Sequence, residues 1–397
     1  MGLPAYIIQP EAFLPYRESS GIREKGRSRR FFMKRCSRGR NRSCVAKRFW
    51  IQASKIKMNR KGRGMKTVDM HCDTVSRLYK KRKQGSGERL AENGGHVDLK
   101  KLKAGDALLQ NFALFVDLGK TGDPWEDVMG MADLYDEELK ENEERIAPVS
   151  CYGDIEKNSR EGKMSALLTV EEGGVCQGSI ARLQHLYSRG VRMMTLTWNY
   201  PNEIGYPAIN ARDGWKKDAL FYKKADRERG LTEKGKEFVL EMERMGMAVD
   251  VSHLSDKGFY DVWQLAKKPF AASHSNARAV CPWVRNLTDD MIKKLADKGG
   301  VVGLNFCPDF LEETAPGEEN PGSIAAIVRH VKHIIRVGGA ECIGLGSDFD
   351  GIEGHGELPD FSYMPRLCDA LRKSGLKEGE IEKIFFKNVL RFYKELL

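Results

Sequence analysis

The chain has 397 residues, 41% of them hydrophobic, which allows one large domain with an appendage or two ordinary domains. Its net charge of +10 suggests a phosphate-bearing partner, but residues 1–64 hold 18 Lys+Arg against 3 Asp+Glu while the rest holds 48 against 53, so the body is mildly acidic. No apolar run reaches the roughly 18 residues that cross a bilayer, and nine scattered cysteines without a CxxC pair read as reduced, mostly buried thiols rather than a disulfide framework.

The chain opens on basic runs such as Arg27-Ser28-Arg29-Arg30 and Lys34-Arg35, with little hydrophobic periodicity. Such a composition predicts a disordered or extraneous extension over 1–64. Nucleic-acid binding by this tail is the minor reading, because its aromatic content is limited to residues such as Phe31, Phe32, Phe49 and Trp50. Translation starting at Met65, directly before a strand, would remove it. A soluble cytoplasmic protein without a membrane partner is expected, and monomer and homodimer are both open.

From Met65 the chain alternates strand-like and helix-like pieces. Apolar, β-branched runs fall at 66–70, 109–116, 165–170, 191–197, 247–251, 269–272, 300–305 and 342–346. Amphipathic segments between or after them include 125–142, 179–189, 232–245, 289–297, 324–337 and 378–396, several opened by Thr, Ser or Asp as caps. Eight such units in residues 65–397 predict an α/β fold of the (β/α)8 TIM-barrel type rather than a doubly wound sheet.

The ends of these strands carry the chemistry. The first ends His71-Cys72-Asp73, and alternation along a strand puts His71 and Asp73 on one face with Cys72 toward the helices. The third ends Glu171-Glu172-Gly173-Gly174, where either carboxylate has the reach to bridge two cations. The fifth and sixth end in His253 and His274, and the eighth in Asp348. In a parallel barrel all strand tips open on one face, so these residues converge on a metal site of the hydrolase type. Unpaired buried ionisable groups cost several kcal/mol, which makes the set improbable as core polarity. His185, His330 and His333 in helical pieces, with His96 and His355 in loops, read as surface or packing residues.

The motifs DMHCDT, HVDLKKLKAGDALLQNFALF, LLTVEEGG, VDVSHLS, AASHSNARAV, Arg285-Asn286-Leu287 and GLGSDFDG, in that order, resemble the membrane (renal) dipeptidase family of dinuclear zinc peptidases, in its bacterial type. The resemblance covers the whole body and none of the tail. It implies one metal held by His71, Asp73 and Glu171 and a second by Glu171, His253 and His274. Spacing back from Gly190-Val191-Arg192 favours Glu171 as the bridge, with Glu172 the alternative. It further implies Asp348 as the proton carrier, Arg285 as the grip on a substrate carboxylate, and hydrolysis of dipeptides by a metal-bridging hydroxide with tolerance of a C-terminal D residue. Two Zn²⁺ are expected, and such ligands also accept Mn²⁺ or Co²⁺.

One departure stands out: the spacing puts Trp198 where the mammalian enzymes place a histidine that binds the tetrahedral intermediate, with Asn199 beside it as a replacement donor. Trp198 and Asn199 therefore join Arg285 as expected substrate-binding residues. The rival readings are another barrel amidohydrolase, such as a deacylase or lactonase, and a catalytically silent metal-binding barrel with a nucleic-acid-binding tail. A carboxylate-reading Arg285 separates the first rival, and an intact ligand set argues against the second.

Overall fold

The computed structural model describes residues 64–213, 221–315 and 318–397. The tail expected over 1–64 lies, apart from Gly64, outside the described residues.

Nine short strands form: β1 (Thr67–Asp69), β2 (Ala107–Phe115), β3 (Ile146–Pro148), β4 (Met164–Glu171), β5 (Val191–Thr195), β6 (Ala248–Asp250), β7 (Ala271–Ala272), β8 (Val301–Leu304) and β9 (Ile343–Leu345). Their hydrogen-bonded order is β2-β1-β9-β8-β7-β6-β5-β4, and β2 pairs again with β4. Eight parallel strands thus close on themselves, as expected, in a (β/α)8 barrel. The unexpected strand is β3. It pairs with the first half of β4 (Ile146↔Met164) while β5 takes the second half (Thr169↔Met193), so it sits on the same edge of β4 outside the ring. Three residues ending in Pro148 give little sequence signal for a strand.

Helices Pro124–Glu141, Ile180–Ser188, Glu233–Met245, Asp289–Asp297 and Ile324–Gly338 lie where the periodicity places them. Each is opened by a side chain accepting a first-turn N–H: Asp123, Ser179, Thr232, Thr288 and Ser323. The segment expected as one helix over 378–396 is helical throughout but interrupted by a π turn at Lys383–Lys387. The wider turn lets Ile384, Phe385, Phe386, Asn388 and Val389 all be buried, and the Asn388 amide donates to the Ala340 and Ile343 carbonyls.

Close packing at one side of the barrel requires glycine. A Cβ on Gly303 or Gly346 would stand 1.9 or 1.8 Å from the Ser273 carbonyl oxygen, so the backbone just past β7 approaches β8 and the residue after β9 with no room for a side chain. That approach seats the Ser273-His274 tip against its neighbours. The seven cysteines among the described residues are free, and all but Cys151 are buried, as expected. Cys72 is fully buried and its thiol donates to the Asn111 carbonyl, turned away from the mouth.

Candidate metal centre

Glu171 is the last residue of β4 and lies in register with Phe115 on β2 and Thr195 on β5. Its two oxygens face different partners. Oε2 stands 3.2 Å from His71 Nε2, whereas Oε1 stands 2.9 Å from His253 Nε2 and 3.5 Å from His274 Nε2. On the His71 side, Asp73 Oδ2 is 3.7 Å and Asp348 Oδ1 3.8 Å from His71 Nε2. The residues fall into two groups whose ligand atoms lie within 4.8 Å of one another: His71, Glu171 and His274, and His71, Asp73 and Asp348.

The outer nitrogens of two imidazoles are tied so that their inner nitrogens stay free. Asn199 Oδ1 accepts from His253 Nδ1 at 3.1 Å. Ser273 Oγ donates to Asp250 Oδ2 and therefore accepts from His274 Nδ1 at 2.7 Å. Both Nε2 atoms then present lone pairs, and they face each other 3.0 Å apart beside a carboxylate. Two lone pairs at that distance repel unless positive charge lies between them. His71 Nε2 and Asp73 Oδ1 are likewise buried without a hydrogen-bond partner. The facing His253 and His274 nitrogens and the orphaned Asp73 oxygen around one carboxylate fit divalent cations, and the mixed nitrogen and oxygen donors suit Zn²⁺.

The titration behaviour agrees. Burial first, then the Arg285 charge, pushes His253 down to about 3, and burial with the His71 and Arg285 charges pushes His274 down to about 4. Both are neutral, as ligands must be. Burial works to lower His71 too, but the Glu171 and Asp73 carboxylates outweigh it and hold this imidazole well above its ordinary range. That half of the site draws in a positive charge. Burial pushes Asp348 up to about 7, against the His71 charge and with the repulsion of Glu171 and Asp73.

Glu172 does not join the cluster. It sits in the left-handed region at φ 92° and its buried carboxylate accepts from the Gly174 and Trp198 backbone N–H groups and the Asn202 amide. Arg285 is buried with Nε and Nη1 free of hydrogen bonds, and Nη2 lies 3.4 Å from the His274 carbonyl. Burial lowers its guanidinium to about 10, which leaves it charged at neutral pH. The Trp198 ring stands 6.3 Å from that of His253 at the rim. All the expected site residues thus gather at one mouth.

Several supporting residues escape a reading of strand tips. Asp250 accepts from the backbone N–H groups of Ser252 and Ser273 and from the hydroxyls of Ser252, Ser273 and Thr195. Asn305 Nδ2 donates to Asp348 Oδ2 at 2.9 Å, while its Oδ1 accepts from Cys307 N. Asp350, at φ 67°, accepts from the Thr74 hydroxyl and the His96 N–H and so ties the Asp348 loop to the tip of β1. The signal for Asp250 was present: a carboxylate inside the apolar run Val249-Asp250-Val251. Of the five histidines set aside, His330 and His355 are buried in packing roles, His96 and His333 are partly exposed, and His185 is exposed.

Residues 57–396 match the family model described as Membrane dipeptidase (Peptidase family M19). The chain belongs to that family. It is 33% identical over 347 residues to an uncharacterised dipeptidase of Schizosaccharomyces pombe, covering 83% of this chain and 80% of that protein. It is 30% identical over 312 residues to dipeptidase tcpJ of Claviceps purpurea, covering 76% of this chain and 69% of that one. Among solved structures it resembles a metallopeptidase of Rhodobacter sphaeroides bound to a phosphinate mimic of the dipeptide L-Ala-D-Ala, with a TM-score of 0.76, 26% identity and coverage of 84% and 100%. Membership makes the chain a metallodipeptidase-type hydrolase, and its barrel mouth is where the family's chemistry has ligands to use. No described helix is long and apolar enough to cross a membrane.

Proposed function

We propose that the chain hydrolyses the peptide bond of free dipeptides at a dinuclear Zn²⁺ site, including dipeptides with a C-terminal D residue. His71 and Asp73 would hold one cation and His253 and His274 the other, with Glu171 shared between them. The observation that carries this reading is the division of Glu171, with one oxygen toward His71 and the other toward His253 and His274. Cations bound there supply an activated water near neutral pH and polarise the peptide carbonyl.

The remaining steps belong to the chain's own side chains. Asp348, buried beside His71 and with one oxygen held by Asn305, is placed to take a proton from the attacking water and to pass it to the leaving amine. Arg285 keeps a buried positive charge and N–H donors at Nε and Nη1 that no other group uses, which suits it to hold the substrate's terminal carboxylate. A grip of that kind confines substrates to peptides whose carboxylate lies one residue from the scissile bond. The L-Ala-D-Ala mimic on the Rhodobacter protein supports tolerance of a D residue, since a carboxylate grip does not depend on the side chain's hand. The test is hydrolysis of a panel of L,L and L,D dipeptides and of their amides by Zn²⁺-loaded protein. Turnover of acids well above amides is expected, and equal turnover of both would favour a deacylase.

A further inference from the structure

The mouth of the barrel has two unlike sides. Asn305 and Asp348 follow β8 and β9, and Arg285 leans on the His274 carbonyl beyond β7. Across Glu171, the tips of β2 and β5 carry Phe115 and Trp198, whose ring centroids are 4.8 Å apart, with Tyr200 5.9 Å from Trp198. All three rings are only partly buried. Phe115 lies in register with Glu171, and the Trp198 backbone N–H is anchored 2.9 Å from Glu172 Oε2, so the wall is held by the same strand end that holds the cluster.

Resting on the dipeptidase reading above, we propose that Phe115 and Trp198 form the subsite for the N-terminal side chain of the dipeptide and select large apolar residues there, aromatic ones above all. With the carboxylate at Arg285 and the scissile carbonyl at Glu171, the one remaining residue extends about 3.5 Å further, toward the aromatic side. Rings there offer edge and face contacts to another ring and bury its surface. The Lys80 ammonium, 5.0 Å from the Phe115 centroid, puts positive charge on the same rim and disfavours Lys or Arg side chains.

The experiment measures kcat/KM of the Zn²⁺-loaded full chain on Gly-Ala, Leu-Ala, Phe-Ala and Lys-Ala, for the wild type and for Trp198→Ala, Trp198→Phe and Phe115→Leu. The wild type should prefer Phe-Ala to Gly-Ala by about tenfold or more, with Lys-Ala below Leu-Ala. Trp198→Ala should lose about tenfold more on Phe-Ala than on Gly-Ala, Phe115→Leu less in the same direction, and Trp198→Phe should restore most of the preference. Affinities for phosphinate mimics of Gly-Ala and Phe-Ala should follow the same order, a binding readout independent of turnover. If Trp198→Ala fails to fold, the two conservative variants decide the matter. Equal losses on Gly-Ala and Phe-Ala, or a wild type indifferent to the N-terminal residue, overturn the subsite. A protein that hydrolyses none of the dipeptides overturns the dipeptidase reading itself.

Discussion

At the scale of single residues, the proton carrier and the carboxylate grip should fail in different ways. Asp348→Asn keeps the shape and the Asn305 contact of Oδ2 but removes the base, so kcat should fall by about 10² or more with KM little changed. Arg285→Ala should act mainly on kcat/KM for dipeptide acids and far less on their amides, and steady-state kinetics on both substrates reads the difference. The residue that orients a ligand should act on the metal instead. Asn199→Ala frees His253 Nδ1 from its acceptor, and metal affinity, measured by competition with a chelator, should fall by about tenfold. The sequence placed His71, Asp73, Glu171, His253, His274 and Asp348 at one mouth because strand tips have a direction. It left Glu171 and Glu172 open because both follow an apolar run. The backbone separates them: Glu172, at φ 92°, turns back to cap the glycine turn and the Trp198 N–H. Its burial, which pushes it up to about 7, is that of a packed anchor.

At the scale of elements, helix Ile324–Gly338 reaches the site through His330. This imidazole is fully buried, accepts from Ala277 N through Nδ1 and bonds the Leu311 carbonyl through Nε2, which ties the loop after His274 to the outer layer. Burial lowers it to about 4 from an ordinary 6.5. The unfolded chain therefore binds a proton that the folded one refuses, so stability falls as pH drops from about 6.5 to about 4, by roughly 3 kcal/mol at most from this group. His330→Asn retains an acceptor for Ala277 and should flatten that part of the stability curve in urea titrations at several pH values. A second element-scale outcome concerns the barrel wall. Gly303→Ala puts a methyl against the Ser273 carbonyl and should cost about 3 kcal/mol, read as a lower urea midpoint. Strands and the longer amphipathic helices were legible because apolar period and caps agree. Helices Thr74–Lys83, Tyr152–Arg160 and Met364–Lys373 were not, since each shows a narrow apolar stripe within a charged segment. The π turn was invisible because its residues keep a helical composition throughout.

At the scale of the molecule, barrel closure turns scattered tips into one site: β4 is bonded to both β2 and β5, and this places Glu171 among imidazoles that lie far apart in sequence. The charge asymmetry leads to a separate outcome. If the basic segment before Met65 is extraneous to the barrel, a chain starting there should match the full chain in melting temperature and in dipeptide turnover, and a large loss of either would show that the segment packs on the body. The central claim is that the buried, mutually repelling acceptors around Glu171 exist to hold two cations for peptide hydrolysis. Metal content by elemental analysis, followed through chelation and Zn²⁺ return with hydrolysis of a dipeptide measured on the same samples, tests it most directly. The account predicts about two equivalents per chain, loss of hydrolysis with their removal, and recovery as two equivalents return. Undiminished hydrolysis by fully metal-free protein would contradict it.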